Sequence, residues 1–194
     1  MQPMAIILVT GPSRSGKSEW AEQLAQQCAQ QQTQQVVYIA TARTDPKDAE
    51  WQARIERHKL RRPSHWQCQE VPIKLTEAIA GSPQQPHDRS HCLLIDSLGT
   101  WLANLIEVDD AQWEAQQQEL LAALGNVSAT VILVAEETGW GLVPAYELGR
   151  TFRDRLGALT RAIGALADDV YLVTGGFALN LSHLGTPVQS KETN

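Results

Sequence analysis

The residues Gly11-Pro12-Ser13-Arg14-Ser15-Gly16-Lys17-Ser18 carry the plainest chemistry in the chain. They match G-x-x-x-x-G-K-S, in which glycines let the backbone turn so that successive N–H groups face inward onto an anion. A helix opening at the second glycine adds partial positive charge at the same point. The cradle suits the phosphates of ATP or GTP. Lys17 would reach the β- and γ-phosphates, and the Ser18 hydroxyl would take one position on Mg²⁺. An apolar run before the motif and a helix-forming run after it supply the strand and helix that the motif requires.

Magnesium calls for a second oxygen donor, ordinarily an acid that ends a buried strand beside the first one. Asp96, after Cys92-Leu93-Leu94-Ile95, has that context, although an acid there also reads as the cap of a helix beginning near Ser97. Asp96-Ser97-Leu98-Gly99 has the D-x-x-G form of signalling GTPases, but no N-K-x-D follows it.

Arg54, His58 and Arg62 are spaced by four, which puts them on one face of a continuous helix, with Arg57 and Arg61 on a neighbouring stripe. The spacing leaves two readings. One is a solvated basic face with an incidental histidine. The other is a set of arginines gathering a triphosphate around an imidazole, kept neutral by the surrounding positive charge, that attacks phosphorus. His65, His87, His91 and His183 show no ligand spacing and read as structural or exposed.

These groups need a scaffold. Five short apolar runs that do not alternate with polar residues read as strands buried on both faces: Ala5 to Thr10, Val36 to Thr41, Cys92 to Asp96, Thr130 to Ala135 and Val170 to Thr174. Helices are predicted between them at Gly16 to about Gln32, Lys47 to Arg62, Trp113 to Leu124 and Tyr146 to Leu166, the last despite Gly149, Gly157 and Gly164. Pro63 limits the second, because the residue before proline is pushed out of the α region. The alternation predicts an α/β fold: a P-loop, RecA-like, mostly parallel sheet with helices on both faces.

A chain of 194 residues suits one domain, here expected over 1–185 with a mobile tail at 186–194 and a surface loop at 82–88. A net charge of -6 argues against a nucleic-acid partner. No apolar run is long enough to cross a bilayer. Cys28, Cys68 and Cys92 lack C-x-x-C spacing, which suggests neither disulfides nor zinc and fits a reducing cytoplasm.

Further motifs narrow the reading. Tyr38-Ile39-Ala40-Thr41-Ala42, Glu50, Arg54-Ile55-x-x-His58, Arg62-Pro63-x-x-Trp66 and Glu70 are followed by Leu94-Ile95-Asp96-Ser97-Leu98 and Trp101 to Leu105. Then come Glu137-x-Gly139-x-Gly141-x-Val143-Pro144, Phe152-Arg153-Asp154 with Gly157, and Val173-Thr174-Gly175. In order and spacing this set resembles the bifunctional adenosylcobinamide kinase and adenosylcobinamide-phosphate guanylyltransferase family over nearly the whole chain. The resemblance implies a cytoplasmic enzyme of cobalamin biosynthesis that phosphorylates adenosylcobinamide with ATP or GTP. It then attaches GMP to adenosylcobinamide phosphate, through a histidine that becomes guanylylated, here His58.

It also implies nucleotide contacts at the P-loop, at Thr41, Ala42 and Arg43, at Lys59, Leu60, Arg61 and Arg62, and at Glu70 and Asp96. A homo-oligomer, with a trimer as the expected size, comes with the same resemblance. Three places depart from the family pattern: Glu136 replaces a usual asparagine, Thr160-Arg161 a usual Asn-Gln, and Trp51 a usual methionine. Two other readings share the P-loop. A kinase of a different small metabolite predicts no covalent GMP, and a GTP-binding regulatory protein leaves the E-x-G-x-G-x-V-P segment without a use.

Overall fold

Each predicted apolar run forms a strand, and together they build one side-by-side parallel array. The computed structural model describes residues 5–32, 34–43, 47–82 and 91–188. The expected loop at 83–88 with His87, the end of the expected tail at 189–194, and the side chains of Trp51 and Arg54 lie outside the described residues.

Along the chain, β1 (Ile6–Gly11) leads through the P-loop into α1 (Lys17–Gln32), followed by β2 (Gln35–Ala40), α2 (Ala49–Arg61) and β3 (Gln67–Glu70). Next are α3 (Leu75–Ala80), β4 (His91–Asp96), α4 (Leu98–Asn104), α5 (Asp110–Asn126) and β5 (Thr130–Glu136). The chain then forms α6 (Glu147–Leu166), β6 (Asp169–Thr174), β7 (Phe177–Asn180) and α7 (Leu181–Leu184). The sheet order is β3-β2-β4-β5-β1-β6-β7; all pairings are parallel except the last, where β7 runs antiparallel to β6.

Because successive side chains of a strand point to opposite faces, an unbroken apolar run feeds two cores at once. Leu8, Val37, Ile39, Leu93, Ile95, Val131 and Leu133 point to the face covered by α3, α4, α5 and α6, around the fully buried Trp101. Ile7, Val9, Val36, Tyr38, Leu94, Ile132 and Val134 point to the other face, against Ala21, Leu24 and Ala25 of α1. The helix α6 survives its glycines because Leu156, Leu159 and Ile163 bury a stripe on one side. Asp109 starts α5 earlier than the apolar pattern predicts, its carboxylate accepting from the Gln112 N–H at 2.8 Å.

Two strands escape the sequence reading. Gln67–Glu70 is exposed throughout and takes its place by pairing with β2. Phe177–Asn180 is a short edge strand reached through Gly175 and Gly176.

Candidate functional site

The P-loop lies where the sequence places it, between β1 and α1. Gly16 has φ +93°, a left-handed conformation that side-chain-bearing residues rarely adopt. The loop is tied by the Ser15 N–H to the Pro12 carbonyl at 3.3 Å, and Lys17 Nζ donates to the same carbonyl at 3.3 Å. Lys17 and Ser18 are buried, whereas Ser13 and Arg14 are exposed. The Ser15 hydroxyl oxygen is buried without a hydrogen-bond partner, a donor that a phosphate oxygen would satisfy. Together with the first-turn amides of α1, which have no preceding turn to accept them, it fits an anion. A cavity of about 590 Å³ opens over this loop, bounded by Arg14, Ser15 to Ser18, Arg57, His58 and Arg61.

Asp96 ends β4, but one expectation about it needs correcting. Its strand is not beside β1; β5 lies between them. Asp96 still reaches the phosphate site, sharing a cavity of about 70 Å³ with Lys17, Ser18, Ala42, His58 and Glu136. Burial would raise its carboxyl, but the neighbouring His58, the hydrogen bond from Tyr38 and the nearby Ser18 hydroxyl outweigh burial and hold it below its ordinary value. The Tyr38 hydroxyl donates to Asp96 Oδ2 at 2.8 Å. Burial and this carboxylate push the Tyr38 hydroxyl far up, so it stays a donor. The Ser18 hydroxyl and the Asp96 carboxylate are neighbouring oxygens, the kind of donor that Mg²⁺ takes. Ser97, not Asp96, caps the following helix: its hydroxyl accepts from the Thr100 N–H at 3.3 Å.

His58 projects from α2 over the P-loop, with Nδ1 3.7 Å from Asp96 Oδ2 and about a quarter of its side chain exposed. Of the arginines spaced around His58 in the sequence, the side chain of Arg54 lies outside the described residues, and the others divide. Arg61 pairs with Glu19 and Glu22 of α1, and Arg62 lies over the Tyr38 ring, 3.8 Å from its centroid, with Nη1 on Cys68 Sγ at 3.1 Å. On its Nδ1 side the imidazole faces the Asp96 carboxylate. Of the arginines, Arg14, Arg57 and Arg61 line the cavity over the P-loop.

The remaining expected contacts divide. Lys59 lies 3.3 Å from Glu56 and 4.0 Å from Glu70, and Lys59, Arg62 and Glu70 border a third cavity of about 450 Å³ with Tyr38 and Trp66. That cavity meets the His58 cavity at Tyr38 and Arg62. Leu60 is 83% exposed. Thr41 is fully buried, and its hydroxyl is engaged with Ser97 and Thr100 rather than with open space. Arg43 is exposed beyond the end of β2.

Sequence reasoning missed Glu136 as a site residue. Half-buried at the end of β5, it has its carboxyl raised by desolvation, with Ser97 and Lys17 acting the other way. The signal was the one that flagged Asp96, an acid closing a buried apolar run. It also missed Glu19 and Glu22, whose position opposite Arg61 depends on how α2 lies on α1. Among the described residues no cluster of three or more His, Cys, Asp or Glu side chains forms a metal cage. No helix there is long and apolar enough to cross a membrane.

A parallel sheet with a phosphate cradle after β1, and a lysine, a serine and an acid converging above it, defines a nucleotide-binding protein of the P-loop class. A solved ATPase domain has the same fold, with a TM-score of 0.52 and 13% identity over 87% of this chain and 68% of that one. Residues 7–181 match the family described as cobinamide kinase / cobinamide phosphate guanyltransferase, and the chain belongs to that family. The bifunctional adenosylcobalamin biosynthesis protein CobP of Pseudomonas aeruginosa is 38% identical over 175 residues, 90% of this chain and 95% of the relative. The protein CobU of the same description from Salmonella typhimurium is 36% identical over 190 residues, 91% of this chain and 99% of its own. The Escherichia coli CobU is 35% identical over the same shares.

Proposed function

We propose that this chain phosphorylates the aminopropanol hydroxyl of adenosylcobinamide with ATP or GTP. It then transfers GMP from GTP onto the resulting phosphate, giving adenosylcobinamide-GDP for cobalamin biosynthesis. The observation that carries the reading is the placement of His58: a single imidazole on α2 lines the cavity over the P-loop and also shares the smaller one with Lys17, Ser18 and Asp96.

In the kinase step the P-loop amides and Lys17 hold the β- and γ-phosphates. The substrate hydroxyl oxygen bonds to the γ-phosphorus and gives its proton to solvent, the bond to the β–γ bridging oxygen breaks, and ADP or GDP departs. In the transferase step a neutral His58 nitrogen attacks the α-phosphorus. A P–N bond forms, the α–β bridging bond breaks, and pyrophosphate departs. An oxygen of adenosylcobinamide phosphate then attacks the same phosphorus and the P–N bond breaks. Asp96 faces Nδ1, so Nε2 is the attacking nitrogen in this reading.

We assign Mg²⁺ to Ser18 and Asp96, where the ion would neutralise charge on the phosphates. Ala42, Arg43, Lys59, Arg62 and Glu70 form the nucleoside side of the site, supported by the cavity that Lys59, Arg62 and Glu70 border. One domain over 1–185 performs both steps. The three free cysteines support a cytoplasmic location, and the exposed Trp140, Leu142, Tyr146, Phe177 and Leu184 support homo-oligomeric assembly, as a trimer.

Incubating the pure protein with Mg²⁺ and GTP and measuring intact mass tests this directly. Wild type gains one GMP and His58→Ala gains none. An unchanged wild-type mass, under conditions where nucleotide binding is observed, removes the transferase half.

A further inference from the structure

We propose that Glu136 is a positioning residue for Asp96, holding through Ser97 the strand end from which Asp96 faces the phosphates. The proposal rests on the assignment of Mg²⁺ to Asp96 given above. Glu136 ends β5, the strand lying between the P-loop strand and that of Asp96. Both of its oxygens are engaged by the segment that follows Asp96: Oε1 accepts from Ser97 Oγ at 2.6 Å and Oε2 from the Gly99 N–H at 3.0 Å. Glycine at 99 is required for this approach, since a Cβ there would overlap the carboxylate.

The same serine is gripped from the opposite side by Thr41, beyond the end of β2. The Ser97 N–H donates to Thr41 Oγ1 at 2.9 Å, and Thr41 Oγ1 donates to the Ser97 carbonyl at 2.7 Å. Ser97 is thereby held at its amide, its carbonyl and its hydroxyl by the ends of the two strands flanking β4. Asp96 immediately precedes it and pairs with Ala40 and Val134 in the sheet. Its remaining freedom lies on the Ser97 side, which Glu136 and Thr41 restrict. Removing the Glu136 carboxylate leaves the Ser97 hydroxyl and the Gly99 N–H without that acceptor and releases one arm of the grip. Mg²⁺ demands near-ideal octahedral placement of its ligands, so a small displacement of Asp96 weakens the cation site more than it weakens the fold.

The test follows binding of a fluorescent GDP analogue by the full-length protein as Mg²⁺ is titrated, for wild type, Glu136→Ala, Glu136→Gln, Ser97→Ala and Asp96→Asn. Thermal unfolding is run alongside. Gln keeps a carbonyl acceptor for the Gly99 N–H and can donate to the Ser97 hydroxyl, so it rescues. Expected are equal binding in EDTA and a Mg²⁺ midpoint about tenfold higher for Glu136→Ala, as for lost outer-shell partners of a metal site. Ser97→Ala falls between the two, and Glu136→Gln lies near wild type.

A Glu136→Ala midpoint equal to wild type overturns the proposal. So does a Glu136→Gln midpoint as high as that of Asp96→Asn, which would instead make the carboxylate a direct cation contact. If Glu136→Ala does not fold, an unshifted Ser97→Ala overturns it. If neither wild type nor Asp96→Asn responds to Mg²⁺, the Asp96 assignment fails and takes the proposal with it.

Discussion

The phosphate side of the site and the histidine side are built in different ways. Gly11, Asp96 and Glu136 stand at the ends of three adjacent strands, fixed by the parallel ladders of β1, β5 and β4. His58 stands on α2, which lies against the rest through side chains: Arg61 on Glu19 and Glu22, Arg62 on Tyr38, and His58 on Asp96. Partly exposed ion pairs of that sort contribute about 0.2–1 kcal/mol each. Burial of the ladder residues contributes several times more per side chain. The groups proposed to hold phosphate and its cation are therefore set by the sheet, and the proposed nucleophile is set by a few weak contacts that nucleotide, salt and single substitutions can shift.

This contrast predicts different consequences for damage on its two sides. Lys17→Ala removes the cation proposed to hold the phosphates, and both half-reactions fall by about 10³-fold or more in single-turnover assays. His58→Ala leaves phosphoryl transfer within about threefold of wild type. If His58→Ala abolished the kinase step as well, the division between the two sides would break. Next in size is stability. Leu94→Ala, in the fully buried centre of β4, lowers the unfolding free energy in urea by about 2–5 kcal/mol. Leu60→Ala on α2 changes it by less than about 0.5 kcal/mol.

A third effect joins the two sides. The Asp96 carboxyl is held below its ordinary value of 3.8 by His58 and Tyr38 against its burial. A depressed carboxylate stabilises the fold fully above its unfolded value and loses that contribution as pH falls through the folded one. The stability advantage of wild type over Asp96→Asn therefore holds at neutral pH and closes below pH 3.8. A gap of constant size across that window would show that the His58 contact does not favour the carboxylate. Smallest is Arg61→Ala, which slows formation of the GMP adduct by about fivefold, the worth of one or two exposed pairs. Wild type in 1 M salt approaches the same rate, because screening at that strength acts over about 3 Å.

Much of this was legible because two-sided burial leaves a compositional mark. Cys92-Leu93-Leu94-Ile95 and Val131-Ile132-Leu133-Val134 serve a core on each face and so contain no polar interruption. Gln67-Cys68-Gln69-Glu70 serves neither, since its place comes from backbone bonds to β2, and backbone bonds leave no trace in residue type. The P-loop could be read whole, because its chemistry is local in sequence. The neighbours of His58 could not. Helical spacing brought the arginines close in sequence, while docking of α2 turned Arg61 to Glu19 and Glu22 and set the imidazole against an acid from β4. Glu136 was obscured for a related reason: strand order, which places it between the loop and Asp96, is a long-range property that no local window encodes.

The insertion of β5 also gives the site a ruler. With neighbouring strands about 4.8 Å apart, the tips of β1 and β4 are separated by about 9.6 Å. The Ser18 and Asp96 side chains, which line the same small cavity, must span that width. The interval between the two backbones is set by one intervening strand, and side-chain length decides whether the two oxygens meet across it.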